Sequence, residues 1–138
     1  MKKIVVISST LSNINFFLLD TLNILSKNFK IIIIAKCDVS LKKKKNIKII
    51  NLNILRKPNF FKDLYNLTQI LYILVKEKPN LLLSITPKVN FLCSIAVLIY
   101  PIKKINFFTG QIWYNKKNLK KLIFKLIDKF IYITSFKC

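Results

Sequence analysis

The sequence predicts an α/β domain: a Rossmann-like, doubly wound and mostly parallel sheet of about five strands, with helices on both faces. Three observations carry this expectation. Short runs rich in Ile, Val and Leu alternate with longer segments of helical period. Those runs are apolar nearly throughout, as strands covered on both faces are, instead of alternating with polar residues. Polar, turn-forming residues gather just after the runs, where open α/β sheets keep their ligand crevices. With 138 residues and 53% apolar side chains, the chain suits one domain, 1–138, with a core of its own.

Residues 3–8 form the first strand, centred on Ile4, Val5, Val6 and Ile7. Ser9, Thr10, Ser12 and Asn13 follow as a turn of helix-capping types. Residues 14–26 read as one helix with Phe17, Leu18, Leu22 and Leu25 in its buried stripe. Residues 29–35 and 47–52 are the second and third strands. The loop between them carries four consecutive lysines at 42–45 and is short for a helical crossover, so this pairing is the least determined. Residues 60–78 form a long helix expected to share Phe61, Leu64, Tyr65, Thr68, Leu71, Tyr72 and Val75 on one face, and Pro79 ends it. Residues 81–84 are the fourth strand, 89–100 a buried helix broken by Pro101, 104–108 the fifth strand and 116–133 the last helix. Right-handed crossovers place the C-terminal strand ends on one edge, so Thr10, Arg56, Thr86, Lys88 and Thr109 should converge.

The net charge is +20, from 25 basic against five acidic residues, and Arg56 is the only arginine. A general bias toward Ile, Lys and Asn accounts for such an excess. Attraction to an anionic membrane or to nucleic acid is the functional alternative. Cys37, Cys93 and Cys138 match no metal-ligand spacing and histidine is absent, which argues against a metal site or a histidine-based triad. No glycine follows the first strand, so a dinucleotide or P-loop reading fails and no cofactor is expected. The odd cysteine count, and an N-terminal apolar run too short for a secretory leader, suit a cytoplasmic protein. The most hydrophobic stretch, 91–102, is too short to span a bilayer.

Two turns carry the candidate chemistry. In Ser84-Ile85-Thr86-Pro87-Lys88, threonine caps the following helix, proline sets the turn, and lysine brings a cation to an end that already favours anions. The alternative is an ordinary turn with a solvated lysine. In Phe108-Thr109-Gly110-Gln111-Ile112-Trp113, the only glycine permits positive φ and close backbone approach. Threonine and glutamine there suit sugar hydroxyls. Trp113 either offers a stacking face or fills the core. Among carboxylates, Asp20, Asp63, Glu77 and Asp128 are expected to face solvent from helices; Asp38 lies in a loop, and no catalytic pair is evident. On the last helix, Leu119, Leu122, Ile123, Leu126, Ile127 and Phe130 form one face, while Lys117, Lys120, Lys121, Lys125 and Lys129 occupy the rest. That pattern reads either as a membrane-surface element or as a core-packing helix with a solvated lysine face.

Phe61-Lys62-Asp63-Leu64, Lys76-Glu77-Lys78-Pro79-Asn80, the two turns, and the segment 117–129 together resemble, in order and spacing, the N-terminal domain of family 4 glycosyltransferases. These are two-domain enzymes of the GT-B fold, and the likeness is to bacterial enzymes of cell-surface polysaccharide and lipopolysaccharide assembly. The resemblance covers nearly the whole chain. It implies an acceptor-side domain truncated before the donor-binding domain, with Arg56, Thr86, Lys88, Thr109 and Gly110 lining the cleft and Thr10 at the same edge. It implies a nucleotide-sugar as substrate of the complete enzyme and a saccharide or lipid-linked acceptor. A separately encoded C-terminal half is an implied partner, and this chain alone is expected to lack turnover. Leu83 and Asn106 depart from the pattern, because relatives often carry histidine there. The alternative function is a non-enzymatic basic domain that binds an anionic membrane surface through Lys117, Lys120, Lys121 and Lys125, or a partner protein. Either way it would sit at the inner face of the plasma membrane. A nucleic-acid role is disfavoured by scattered lysines, a single arginine and no base-stacking motif.

Overall fold

Five strands form one parallel sheet in the order β3-β2-β1-β4-β5: β1 (Lys3–Thr10), β2 (Lys30–Lys36), β3 (Ile47–Asn51), β4 (Leu81–Ile85) and β5 (Lys104–Phe107). The structure, a computed structural model, describes residues 1–40, 45–55, 57–110, 113–114 and 117–135. Five helices connect or follow these strands: α1 (Leu11–Phe17), α2 (Leu19–Leu25), α3 (Phe60–Glu77), α4 (Pro87–Ile99) and α5 (Asn118–Ile133). The Rossmann-like α/β class expected from the sequence is therefore the observed one.

The central strands explain why the sheet is parallel and covered twice. In β1, Val5 and Ile7 enter a core with Ile32, Ile34 and Leu82, roofed by Ile70 and Leu74 of α3 and by Val89, Leu92 and Ala96 of α4. Ile4 and Val6 point the other way, joining Ile31 and Ile33 under Leu11, Ile14 and Leu22 of α1 and α2. Each such fully buried aliphatic side chain is worth roughly 1.5–3 kcal/mol. β2 and β3 pair in parallel, Ile32 opposite Lys48, although their connection is short. The chain leaves β1 toward β2 on one side and returns as β4 on the other, so the switch point of the sheet lies between β1 and β4.

The structure corrects some of these expectations and decides others. The first helix is two segments meeting at Leu18 (φ −133°, ψ 0°); Leu18 is buried as expected, and Phe17 is exposed. Of the residues named on one face of α3, Phe61, Leu64, Tyr65, Tyr72 and Val75 are exposed and Leu71 packs against the core, while Ile70, Ile73 and Leu74 face the sheet. This helix is apolar on both sides, so periodicity alone does not choose the buried one. Its ends are well specified. Asn59 accepts from the Lys62 amide and Asp63 from the Asn59 amide, both at 3.0 Å, and Lys78 closes it in a left-handed conformation. Among the carboxylates expected in solvent, Glu77 instead receives Lys48 and Lys3 at 2.8 and 3.1 Å. Hydrogen bonds from Lys48 and Lys3 hold its carboxyl below its ordinary value. Finally, α5 buries only Ile131; Leu119, Leu122, Ile123 and Leu126 are exposed.

A polar seam anchors the end of α5. Ser84 donates to Asn106 at 2.8 Å, and Asn106 donates to the Ile131 carbonyl at 3.2 Å and to Ser135 Oγ. Lys104 is fully buried, and its ammonium donates to Ser94 Oγ and, at 2.9 Å, to Thr134 Oγ1. Burial pulls the Lys104 amine down to about 8, against a smaller upward pull from the neighbouring Cys93. Burial pushes the Cys93 thiol up to about 12.

Candidate functional site: a pocket at the switch point of the sheet

β1 ends in hydroxyl residues, Ser8, Ser9 and Thr10, and its register with β2 slips between Ile7 and Thr10. The slip turns Ser9 toward the start of α1, where Asn13 donates to it at 3.2 Å. β4 ends at Thr86, whose φ of 76° and ψ of 140° are a conformation that β-branched residues rarely adopt. Holding it costs roughly 1–3 kcal/mol. Pro87 then opens α4, and the Asn90 amide closes the first turn on the Thr86 carbonyl at 2.8 Å. The expected side-chain cap is not made. Thr86 Oγ1 is buried and has no hydrogen-bond partner. Thr109 follows β5 at the same edge.

These elements enclose a cavity of about 400 Å³ lined by Ser9, Asn13, Phe17, Thr86, Pro87, Lys88 and Thr109. The structure thus brings Thr86, Lys88 and Thr109 together. Thr10 stands beside the cavity, accepting from Ser12 at 3.3 Å. Ser12 in turn engages the otherwise exposed Asp38 through its hydroxyl and, at 3.0 Å, its amide. The side-chain hydrogen bond from Ser12 holds the Asp38 carboxyl below its ordinary value. Gly110 is exposed, and a Cβ there would meet no atom within 4 Å, so no close backbone approach requires the glycine. Arg56, Gln111 and Ile112 lie outside the described residues, as do the lysines at 42–44.

Lys88 is not the free cation that the turn suggested. Its ammonium pairs with Asp63 at 2.6 Å and donates to the Lys57 carbonyl at 2.6 Å, with side-chain exposures of 16% and 21% for the ion pair. The pocket rim is therefore close to neutral. Trp113 is half-buried; its indole donates to Asp128 at 2.8 Å, and Lys125 lies 4.9 Å from the ring. Asp128 is thus engaged too. Lys117, Lys120 and Lys125 are exposed and Lys121 half-buried. Sequence reasoning missed Ser9, Asn13 and Phe17 as pocket residues. The paired serines before Thr10 were a usable signal; Phe17 gave none, because an apolar residue beside a helix's buried stripe reads as part of it. Among the described residues no group of His, Cys, Asp or Glu is placed to hold a metal ion, and no helix is long and apolar enough to cross a membrane.

No family model and no curated protein matches the chain. Solved structures do. MnaA of S. aureus, in a structure with UDP, matches 98% of this chain and 36% of its own at 18% identity, with a TM-score of 0.66. MurG of Acinetobacter baumannii matches 92% of this chain and 39% of its own at 12% identity, TM-score 0.61. UGT2 of Phytolacca americana, complexed with UDP-2fluoro-glucose and pterostilbene, matches 80% and 31% at 12% identity, TM-score 0.59. The chain spans about a third of the length of these structures. At such identities the likeness is one of fold: this chain has the Rossmann-type α/β architecture that recurs in these proteins.

Proposed function

We propose that the domain is the acceptor-side half of a glycosyltransferase-type protein of the GT-B fold. In the complete enzyme it would present a hydroxyl of a saccharide or lipid-linked acceptor to a nucleotide-sugar held by a second, donor-binding domain. The observation that carries this reading is the pocket at the switch point. Its polar lining of Ser9, Asn13, Thr86 and Thr109 consists of uncharged hydroxyl and amide groups, and its one cation is already neutralised by Asp63. Such a lining suits a neutral polyhydroxylated ligand better than a phosphate. The sequence resemblance to family 4 enzymes and the fold likeness support it, and the similar structures of MnaA and UGT2 hold UDP and UDP-2fluoro-glucose.

In this reading Thr86 and Thr109 hydrogen-bond acceptor hydroxyls, and Lys88 shapes the rim through Asp63. Thr10 and Gly110 are assigned to the cleft edge, and Arg56, outside the described residues, is assigned to it by the sequence resemblance alone. The described carboxylates nearest the pocket, Asp38 and Asp63, are both engaged. In this reading the base for deprotonating the acceptor is supplied with the donor-binding domain, so the chain alone should bind acceptor without turning over a nucleotide-sugar. Thr86→Val and Thr109→Val each remove one hydroxyl at nearly constant volume. Each should weaken binding of a soluble methyl glycoside about 3–10-fold, as expected for a lost hydrogen bond, in a titration followed by NMR. Unchanged affinity in both variants would contradict the reading.

A second reading concerns α5. Its exposed stripe of Leu119, Leu122, Ile123 and Leu126 is flanked by Lys117, Lys120, Lys121 and Lys125, the pattern of a helix lying on an anionic membrane. The inner face of the plasma membrane is the matching location, and it suits a lipid-linked acceptor. Vesicles containing anionic lipid should bind the protein and neutral ones should not, with each lysine contributing about 1 kcal/mol. Changing the four lysines to glutamine should abolish most of that binding. If vesicle binding survives the change, α5 is not the contact; if the protein ignores anionic vesicles, the stripe is left to a partner polypeptide such as a separately encoded C-terminal half.

A further inference from the structure

The pocket does not end at its polar lining. Phe17, half exposed at the end of α1, forms one wall and stands 6.0 Å, ring centre to ring centre, from Phe107 at the end of β5. Phe16, 87% exposed, lies 6.5 Å beyond Phe17, and Ile105 is exposed two residues before Phe107 on the same side of β5. None of these four side chains belongs to either core cluster. Contiguous aromatic surface running out of a pocket is unlike the scattered single apolar residues that any protein exposes.

Local structure holds the shelf open. Leu11, Ile14, Leu18 and Leu22 form one buried stripe across the α1–α2 junction, and Phe16 and Phe17 lie outside it. α1 and α2 roof β1 and β2, while α3 and α4 pack on the opposite face, so the side of β5 that bears Ile105 and Phe107 stays uncovered among the described residues. Phe107 and Thr109 come from one short segment, so hydrogen-bonding and apolar surface are presented to the same ligand.

We propose that Phe17 and Phe107, extended by Phe16 and Ile105, form an apolar subsite contiguous with the pocket. The ligand that fits is an amphiphile: a hydroxylated sugar among Ser9, Asn13, Thr86 and Thr109, with an alkyl or aryl group on the aromatic shelf. This rests on reading the pocket as an acceptor site, and it makes Phe17 and Phe107 the residues that select acceptors by their apolar portion.

The test compares methyl, hexyl and phenyl β-glucosides in NMR titrations of the full chain and of a Phe17→Ser, Phe107→Thr double variant. Both replaced side chains are partly solvent-exposed, and threonine suits a strand. The hexyl or phenyl glucoside should bind about 10–50-fold tighter than the methyl glucoside, as burial of an added apolar group predicts. The double variant should lose that advantage to within about threefold; because Phe17 also lines the pocket, the readout is the ratio of hexyl or phenyl to methyl glucoside affinity within each protein. The phenyl and hexyl arms distinguish a planar aglycone from an extended lipid chain. Equal binding of all three glucosides, or an advantage that survives the double variant, overturns the subsite and leaves the sugar pocket standing. No binding of any glucoside overturns the subsite, and the sugar pocket falls with it when the methyl glycosides of galactose and N-acetylglucosamine fail as well.

Discussion

Replacing Lys104 with methionine should stabilise the domain by about 1–3 kcal/mol at pH 7, because a buried ammonium is exchanged for an apolar chain of similar length. Lys104 is fully buried, and its described hydrogen-bond partners are the hydroxyls of Ser94 and Thr134. Those hydroxyls keep their own bonds to helix carbonyls, Ser94 to Asn90 at 2.7 Å and Thr134 to Ile131 at 2.9 Å, so the substitution strands neither. The pH dependence fixes the cause. The folded amine titrates near 8 and its ordinary value is 10.5. Between those values the unfolded chain holds a proton that the folded chain does not, so native stability climbs with pH through that window. Methionine has no such dependence, and the gap between the two proteins should close as pH rises from about 8 toward 10.5. Cys93, pushed up to about 12, works in the opposite sense above pH 9 but does so in both proteins. Urea unfolding at pH 7 and pH 10 measures both effects. A methionine variant less stable at pH 7 would mean that the ammonium is a net tie between α4 and α5.

Asp63→Asn should cost about 1–3 kcal/mol and change what the pocket binds. The carboxylate neutralises Lys88 at 2.6 Å and also accepts from the Asn59 amide at the start of α3, so one side chain joins the first turns of α3 and α4. Asparagine can keep an acceptor for the amide but not the charge. Lys88→Met should cost a similar amount, and the double change less than the sum, by about 1 kcal/mol, since the two residues touch. Freed of its partner, Lys88 in the Asp63→Asn protein should bind inorganic phosphate measurably better than the parent does. Strict additivity, or equal phosphate binding, would show that the pair does not set the charge of the rim.

The fold was legible because its strongest signals are local. The aliphatic runs around Val5, Ile32 and Leu82 needed no partner to be read as doubly covered strands. The handedness of crossovers then predicted, and the structure places, Thr86 and Thr109 at one edge. What escaped depended on tertiary context. Phe17 adjoins the stripe of Leu11, Ile14, Leu18 and Leu22, and its hydrophobicity placed it in that stripe when it forms a pocket wall. α3 is apolar on both sides, and only the space above β1 and β4 decides that Ile70 and Leu74 face in while Tyr65 and Tyr72 face out. The partner of Lys88 sits on another helix, which no spacing rule anticipates. Asn106, a departure from the family pattern in sequence, bonds Ser84 and the last turn of α5, a structural task invisible before the elements were assembled.

The pocket itself is tested most directly by titrating isotopically labelled protein with methyl glycosides of glucose, galactose and N-acetylglucosamine and mapping the amide shifts by NMR. For at least one sugar, saturable shifts should centre on Ser9, Asn13, Thr86, Lys88 and Thr109 and leave the outer faces of α3 and α5 unmoved. Shifts centred elsewhere, or none with any of the three sugars, would contradict an acceptor site at the switch point of the sheet.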